Sequence, residues 1–195
     1  MYLIMLRSIA AKSYEKLFAI TIVIVFVTSG CISTPRISRM VIDNVEIQSK
    51  HAASVCIIRE EGVEIKYDKQ GFGGKITAAA YLKAVIESIK KSNLFSQVVS
   101  DGKEDYQLSA TLTKSNFGTK DITGAGYSLR YTISAQWVLI DKKTSKILFD
   151  ETITGTGGAN FLDAFNGITR NTIARERAVK KNIAKGIQRL SSLEF

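Results

Sequence analysis

Cys31 is the residue whose surroundings most clearly predict a chemical role. It follows an apolar run from Leu17 to Val27 and a stretch of small residues at 28–30. The run is preceded by three cations and one anion, namely Arg7, Lys12, Lys16 and Glu15. A basic segment, a short apolar segment and small residues, in this order, predict an export signal over residues 1–30 that is cut between Gly30 and Cys31. A spanning helix needs about 20 apolar residues, and Pro35 and Arg36 follow this run too early for one.

The cleavage site resembles the lipobox of bacterial lipoproteins. The matching residues are Thr28, Ser29, Gly30 and Cys31, with Thr28 at a position that is usually aliphatic. The resemblance implies that a diacylglycerol group is attached to Cys31 and that the mature protein also carries palmitate. Ile32 stands where an aspartate retains such proteins in the inner membrane, so the resemblance implies the periplasmic face of the outer membrane. The alternatives are an ordinary signal peptide with a chance cysteine, or a short anchor that is not cut.

Two other features are typical of reactive sites, but the spacing of the first and the surroundings of the second argue against such a role. The glycine-rich segment 71–74 before Lys75 lacks a glycine at Lys69 and a hydroxyl residue at Ile76, which a phosphate-binding loop needs. It predicts a flexible loop and a helix entry, and leaves open a weak anion site. His51, the single histidine of the chain, lies in a polar segment that predicts a solvated side chain.

A cationic set near the carboxyl end is the candidate anion-binding site. Its members lie outside the apolar stripe of a predicted helix: Arg175, Arg177, Lys180, Lys181, Lys185 and Arg189. Such a face is solvated in most proteins, but on a membrane-tethered domain it could meet phosphates. Glu176 projects close to the apolar stripe, where we expect it to pair with a basic residue at the helix edge or to cap the first turn.

The elements that position these residues follow from periodicity. Residues 31–52 predict a tether, and residues 53–195 predict one domain. Within it, apolar residues recur every three or four positions over 76–92, and Asn93 predicts a left-handed cap. Alternation predicts strands at 106–112, 127–140 and 147–153, with loops at 116–126 and 155–160. A closing helix follows, in which Gly186 predicts close packing. The order predicts an α+β, two-layer sandwich with two helices on one face of a mostly antiparallel sheet.

This arrangement resembles several families of small Gram-negative lipoproteins. The shared features are the helix ending in Ser92-Asn93-Leu94-Phe95, the strand start at Asp105-Tyr106, the turn of Asp141 with 143–145, and the terminal helix. They cover most of residues 53–193. The families are the YajG-like lipoproteins, the auxiliary lipoproteins of ABC transporters, the lipopolysaccharide-assembly lipoprotein and, more distantly, the amino-terminal domain of TolB. The resemblance implies an architecture rather than one named member.

The predicted function is that of a non-enzymatic accessory or assembly factor in an envelope transport or assembly complex. No catalytic residue, metal or cofactor is predicted, because the sequence holds no recognisable triad or metal-ligand motif, although a glycosidase carboxylate pair stays open. The formal charge of +9 falls to +7 once the signal and its net +2 are removed. In the envelope this favours acidic proteins or anionic lipids over nucleic acid. The alternative function is binding of an anionic glycolipid or phospholipid by the basic helix and the strand face of Tyr127, Tyr131 and Trp137, although these aromatics could simply be core.

Overall fold

We analysed a computed structural model, which describes residues 34–58, 66–68, 75–100, 102–123 and 126–194. The predicted signal peptide, Gly30 and Cys31 lie outside these residues, so their prediction stands as made. In the described ranges, no helix is both long enough and apolar enough to cross a bilayer.

Within the described residues, the fold consists of three helices and six strands. The helices are α1 (Ile37–Met40), α2 (Ala78–Ser92) and α3 (Gly167–Ser191). The strands are β1 (His51–Ile58), β2 (Lys66–Asp68), β3 (Phe95–Val99), β4 (Tyr106–Thr123), β5 (Gly126–Asp141) and β6 (Ile147–Ala159).

The strands form one mixed sheet in the order β3-β1-β4-β5-β6, with β2 paired to β4 beyond the end of β1. The three long strands β4, β5 and β6 are antiparallel, while β1 runs parallel to both β3 and β4. The predicted α+β fold is confirmed, and the parallel strands are an addition to it. The predicted loop at 116–126 is largely strand, because β4 extends to Thr123 and β5 begins at Gly126.

The core lies between one face of this sheet and helices α2 and α3. Alternate residues of β5, among them Ile133, Ala135, Trp137 and Leu139, are fully buried, as their period of two requires. The predicted left-handed cap of α2 is present, because Asn93 has φ 50°. At the other end of the helix, Thr77 Oγ1 accepts from Ala80 N at 3.1 Å. The buried face of α2 is turned toward Tyr81, Ala84 and Ser88 rather than Leu82 and Ile86.

Part of the predicted tether belongs to the domain. Met40, Val41 and Ile42 are buried in the core, and Ile42 N donates to Ser88 Oγ on α2 at 3.1 Å. His51 is the first residue of β1 and is 8% exposed, with a ring nitrogen 3.0 Å from the Leu190 carbonyl oxygen. The boundary predicted at residue 53 and the solvated histidine were therefore wrong, because short apolar stretches between polar residues gave no periodic signal.

The second predicted glycine loop, 155–160, is mostly strand. At Gly155 a Cβ would lie 2.2 Å from the Ala178 carbonyl oxygen, and at Gly157 it would lie 2.1 Å from that of Ala174. These glycines therefore let the backbone of α3 rest directly on the backbone of β6, which no other residue would permit.

Candidate functional site

An open cleft lies at the end of the sheet where β1 and β4 begin and β5 ends. It has a volume of about 620 Å³, and its polar lining includes Lys50, His51, Asp105, Tyr106, Asp141 and Lys143. The cleft thus brings together two carboxylates and two lysines, which are residue types that can transfer protons or bind a polar ligand. Their bonding decides what each can do.

The two cleft carboxylates are bound into the surrounding backbone. Asp105 Oδ2 accepts from Ser54 N and Ser54 Oγ, both at 2.9 Å, and Lys143 Nζ lies 3.5 Å from Asp105 Oδ1. Asp141 Oδ1 accepts from Lys143 N at 2.7 Å and from Thr144 N at 3.1 Å. The Ser54 and Thr144 backbone donors lower the pKa of Asp105 and of Asp141, respectively. Both groups are therefore ionised at neutral pH, whereas a glycosidase acid needs a raised pKa.

The contacts of His51 indicate a structural role rather than proton transfer in this cleft. Its ring lies 5.3 Å from the ring of Phe95, and its hydrogen bond to Leu190 joins β1 to the end of α3. Among the residues that the structure describes, no group of three or more His, Cys, Asp and Glu side chains could hold a metal ion. The glycines at 71–74, with their open anion-site interpretation, lie outside the described residues.

Of the six candidate anion-binding residues of α3, five are exposed and one, Arg175, is buried. Arg175 is 1% exposed and its guanidinium lies 4.9 Å from the centre of the Tyr131 ring. Arg177 binds Asp163, and Arg189 Nε lies 3.6 Å from Glu151 Oε2. Lys185 Nζ donates to the Thr154 carbonyl oxygen at 3.1 Å. Lys180 and Lys181 are exposed.

Two of these cations also cover the sheet. Lys185 and Arg177 donate to the backbone carbonyls of Thr154 and Gly158 in β6, the last strand in the sheet order. Charged side chains along an outer strand are a common protection against pairing with another chain. The basic pattern of α3 is thus explained in part by its position beside β6.

The aromatic half of the alternative ligand site is core. Trp137 is 0% exposed and Tyr131 is 4% exposed, and the Tyr131 hydroxyl bonds to Ser115 Oγ. Nothing is described of the Tyr127 side chain. Burial of these rings removes the open aromatic groove on which this ligand-binding hypothesis depends.

Asn182 is a buried polar node that sequence reasoning missed. Its Oδ1 accepts from Tyr81 Oη at 2.6 Å and from Trp137 Nε1 at 3.3 Å, and its Nδ2 donates to the Ile153 carbonyl oxygen at 2.6 Å. One side chain on α3 thereby binds α2, β5 and β6 together. A polar residue at a position that continues the apolar stripe was the available signal.

Glu176 joins the start of the domain to α3. It is 4% exposed, accepts from Arg36 N at 2.8 Å through Oε1, and lies 3.7 Å from Arg39 Nη1 through Oε2. Glu176 does pair with a basic residue, but that residue is Arg39, from the segment that was predicted to be tether, and not a residue at the edge of α3 as expected.

A loop with exposed apolar side chains connects β6 to α3. In this segment, Asn160–Asn166, Leu162 is 93% exposed, Phe165 is 90% exposed and Phe161 is 37% exposed. We call it the apolar loop. The sequence of this loop has neither the alternation of a strand nor the repeat of a helix, so the exposure of its apolar side chains was not predicted.

Comparisons with known proteins give a fold but no family. No family model matches the chain, and no curated protein matches it. A Xanthomonas campestris protein described under the family model DUF330 is similar, with a TM-score of 0.53, 13% identity, and coverage of 76% of this chain and 88% of that chain. At that identity the similarity is one of fold.

Two further solved structures are similar at lower scores. A hypothetical protein of Chlamydia trachomatis has a TM-score of 0.49 and 8% identity, covering 74% of this chain and 98% of that chain. A minor lipoprotein of Acinetobacter baumannii has a TM-score of 0.45 and 10% identity, covering 71% of this chain and 92% of that chain.

Proposed function

We propose that this chain is cut before Cys31, lipidated on Cys31, and held on the periplasmic face of the outer membrane as a non-enzymatic lipoprotein. The observation that carries the proposal is the junction of small residues and cysteine directly after a short apolar run. The folded domain begins soon afterwards, because Arg36 is already bonded to Glu176. Ile32, in place of aspartate, supports the outer rather than the inner membrane.

Within this proposal the domain acts as an accessory or assembly factor of an envelope transport or assembly complex. The support is the resemblance to auxiliary lipoproteins and the way in which the domain uses its polar groups. Asp105 is bonded to β1, His51 is bonded to α3, and Asp141 is bonded to the backbone of its own turn, so all three help to hold the domain in shape. The proposal assigns no catalytic residue and no cofactor.

The lipid is tested by growth with radiolabelled palmitate, followed by membrane fractionation. We expect label on the wild-type protein and none on the Cys31→Ala variant. Cys56→Ala is the matched control, since it removes the other cysteine of the chain and should leave the label intact. Label that survives Cys31→Ala, or identical processing and sorting of that variant, would contradict the proposal.

The accessory role is tested separately on the lipidated protein. After extraction of envelopes in mild detergent, we expect it to co-purify with a defined partner complex in a fixed ratio, and this ratio should persist at moderate salt. Recovery of the lipidated protein alone, over a range of mild detergents, would contradict the accessory role while leaving the lipid in place.

A further inference from the structure

We propose that the apolar loop enters the same bilayer that carries the lipid on Cys31, with Leu162 and Phe165 as the inserting side chains. This inference rests on the proposed lipidation and adds a second point of membrane contact to it. The ligand is a phospholipid surface rather than a soluble molecule.

The first observation is the concentration of exposed apolar side chains. Four large hydrophobic residues are exposed in the described part of the chain, and three of them, Phe161, Leu162 and Phe165, lie within the apolar loop. Single exposed hydrophobic residues are ordinary, but a cluster of them marks a surface that contacts another apolar phase.

The second observation is that the apolar loop is held in shape while Leu162 and Phe165 stay exposed. Asp163 binds Arg177 with both carboxylate oxygens, at 2.6 and 3.0 Å. Within the loop, Asn160 N donates to Asp163 Oδ2 at 2.9 Å, and Leu162 N donates to Asn160 Oδ1 at 3.0 Å. These backbone donors are already satisfied inside the protein, which lowers the cost of bringing the loop into an apolar layer.

The length of chain between Cys31 and Arg36 limits how far a lipid on Cys31 can lie from the apolar loop. Glu176 binds Arg36, and Arg177, the residue after Glu176, binds Asp163. The two contacts are therefore made around one short section of α3, a helix about 10–12 Å across with its side chains. Cys31 precedes Arg36 by five positions, a length of chain that reaches at most about 18 Å. A lipid on Cys31 thus keeps this section of α3, and the loop bound to it, close to the bilayer.

The charge near the apolar loop suits phospholipid head groups. Lys180 and Lys181 are exposed on the next turn of α3, and Arg39 has a side chain that is 55% exposed. The one carboxylate of the loop, Asp163, is paired with Arg177. Cations beside an apolar tip favour an interfacial position on an anionic membrane.

The test uses photocrosslinking of the full-length, palmitate-labelled protein in native envelopes. A diazirine analogue of leucine replaces Leu162, which changes the size of the side chain very little. We expect adducts with phospholipid. The matched control places the same analogue at Ile147, which is 55% exposed at the start of β6. We expect an excess of lipid adduct of roughly tenfold at position 162, the partition that burial of one large apolar side chain provides.

The outcomes separate this inference from the proposed function. Absence of palmitate label would overturn both. If the palmitate label is present, three outcomes would overturn the inference alone. They are a protein adduct at position 162, no adduct there, and equal lipid adducts at positions 162 and 147. A second variant, Asp163→Ala, leaves the apolar side chains in place and releases the loop from Arg177, so we expect it to lower the lipid adduct at position 162 severalfold.

Discussion

Arg177 holds Asp163 through both oxygens of the carboxylate, with Nη2 to Oδ1 at 2.6 Å and Nη1 to Oδ2 at 3.0 Å. Arg177 is the main cause of the lowered pKa of Asp163, and the backbone N–H of Asn160 adds to it. The pair connects the apolar loop to α3, so its ionisation and the shape of the loop are linked.

We expect Asp163→Asn to reduce the free energy of unfolding at pH 7 by about 1 kcal/mol, because the pair is bidentate but partly exposed. Because the pKa of Asp163 is lower in the folded than in the unfolded state, the ionised carboxylate stabilises the folded protein at neutral pH. This stabilisation is lost progressively as the pH falls below about 4. The difference between wild type and variant should therefore shrink steadily in urea titrations as the pH is lowered from 7 through this region. Asp150→Asn is the control, because Asp150 accepts from the neutral amide of Gln136. A difference of the same size at pH 7 and at pH 3 would contradict this account.

Asn182→Ala should be strongly destabilising. The substitution leaves the Tyr81 hydroxyl, the Trp137 indole N–H and the Ile153 carbonyl without this partner in the core, and we expect a loss of about 3 kcal/mol or more. Burial raises the pKa of Tyr81, so its hydroxyl remains a donor at neutral pH. Tyr81→Phe removes one of the three bonds and should cost about 1 kcal/mol. Equal losses for the two variants in urea unfolding would contradict a shared node at Asn182.

Gly186→Ala should disturb the core around Trp137. The added Cβ would lie 2.5 Å from Trp137 Cζ2, and a rigid ring cannot yield as a flexible chain end could. We expect a loss of about 1–3 kcal/mol, as for other overpacked cores. Trp137 is the single tryptophan, so its fluorescence reports the change directly. Gly118→Ala is the control, since no atom lies within 4 Å of its added Cβ. Equal stability of both variants would contradict the packing.

Glu176→Ala should release the start of the domain. It removes the acceptor of Arg36 N and the ion-pair partner of Arg39. We expect trypsin to cut after Arg36 and Arg39 severalfold faster, while the overall unfolding free energy falls by about 1–3 kcal/mol for loss of a buried charged acceptor. The control is Glu151→Ala, which removes the exposed partner of Arg189. Unchanged cleavage in Glu176→Ala would show that the core contacts of Met40–Ile42 hold the segment without it.

Features that depend on local geometry could be predicted from the sequence. The alternation of β5, the left-handed cap at Asn93 and the close packing at Gly186 each follow from local geometry, and all three are present. The pairing of β1 with β3 and β4 was not readable, because parallel partners are chosen by the path of the chain and not by their own alternation.

The errors concern residues whose role depends on a distant partner. Arg175 belongs to the cationic pattern of α3, yet it is buried beside Tyr131, a residue far away in sequence. Gly155 and Gly157 are typical of a loop until the backbone of α3 is placed against them. Likewise, Met40 and Ile42 are buried because they pack against α2 and α3. No repeat within residues 31–52 predicts this burial.

The bond between Arg36 and Glu176 also determines how the domain responds to mechanical force. A pull on the chain before Arg36 is delivered first to the side of α3, and next, through Ile42 and Ser88, to α2. Both contacts come before the chain enters β1 at His51. Tension from an attachment point upstream is therefore divided between two helices before it reaches any strand, and the sheet is shielded from being unzipped from its amino-terminal end.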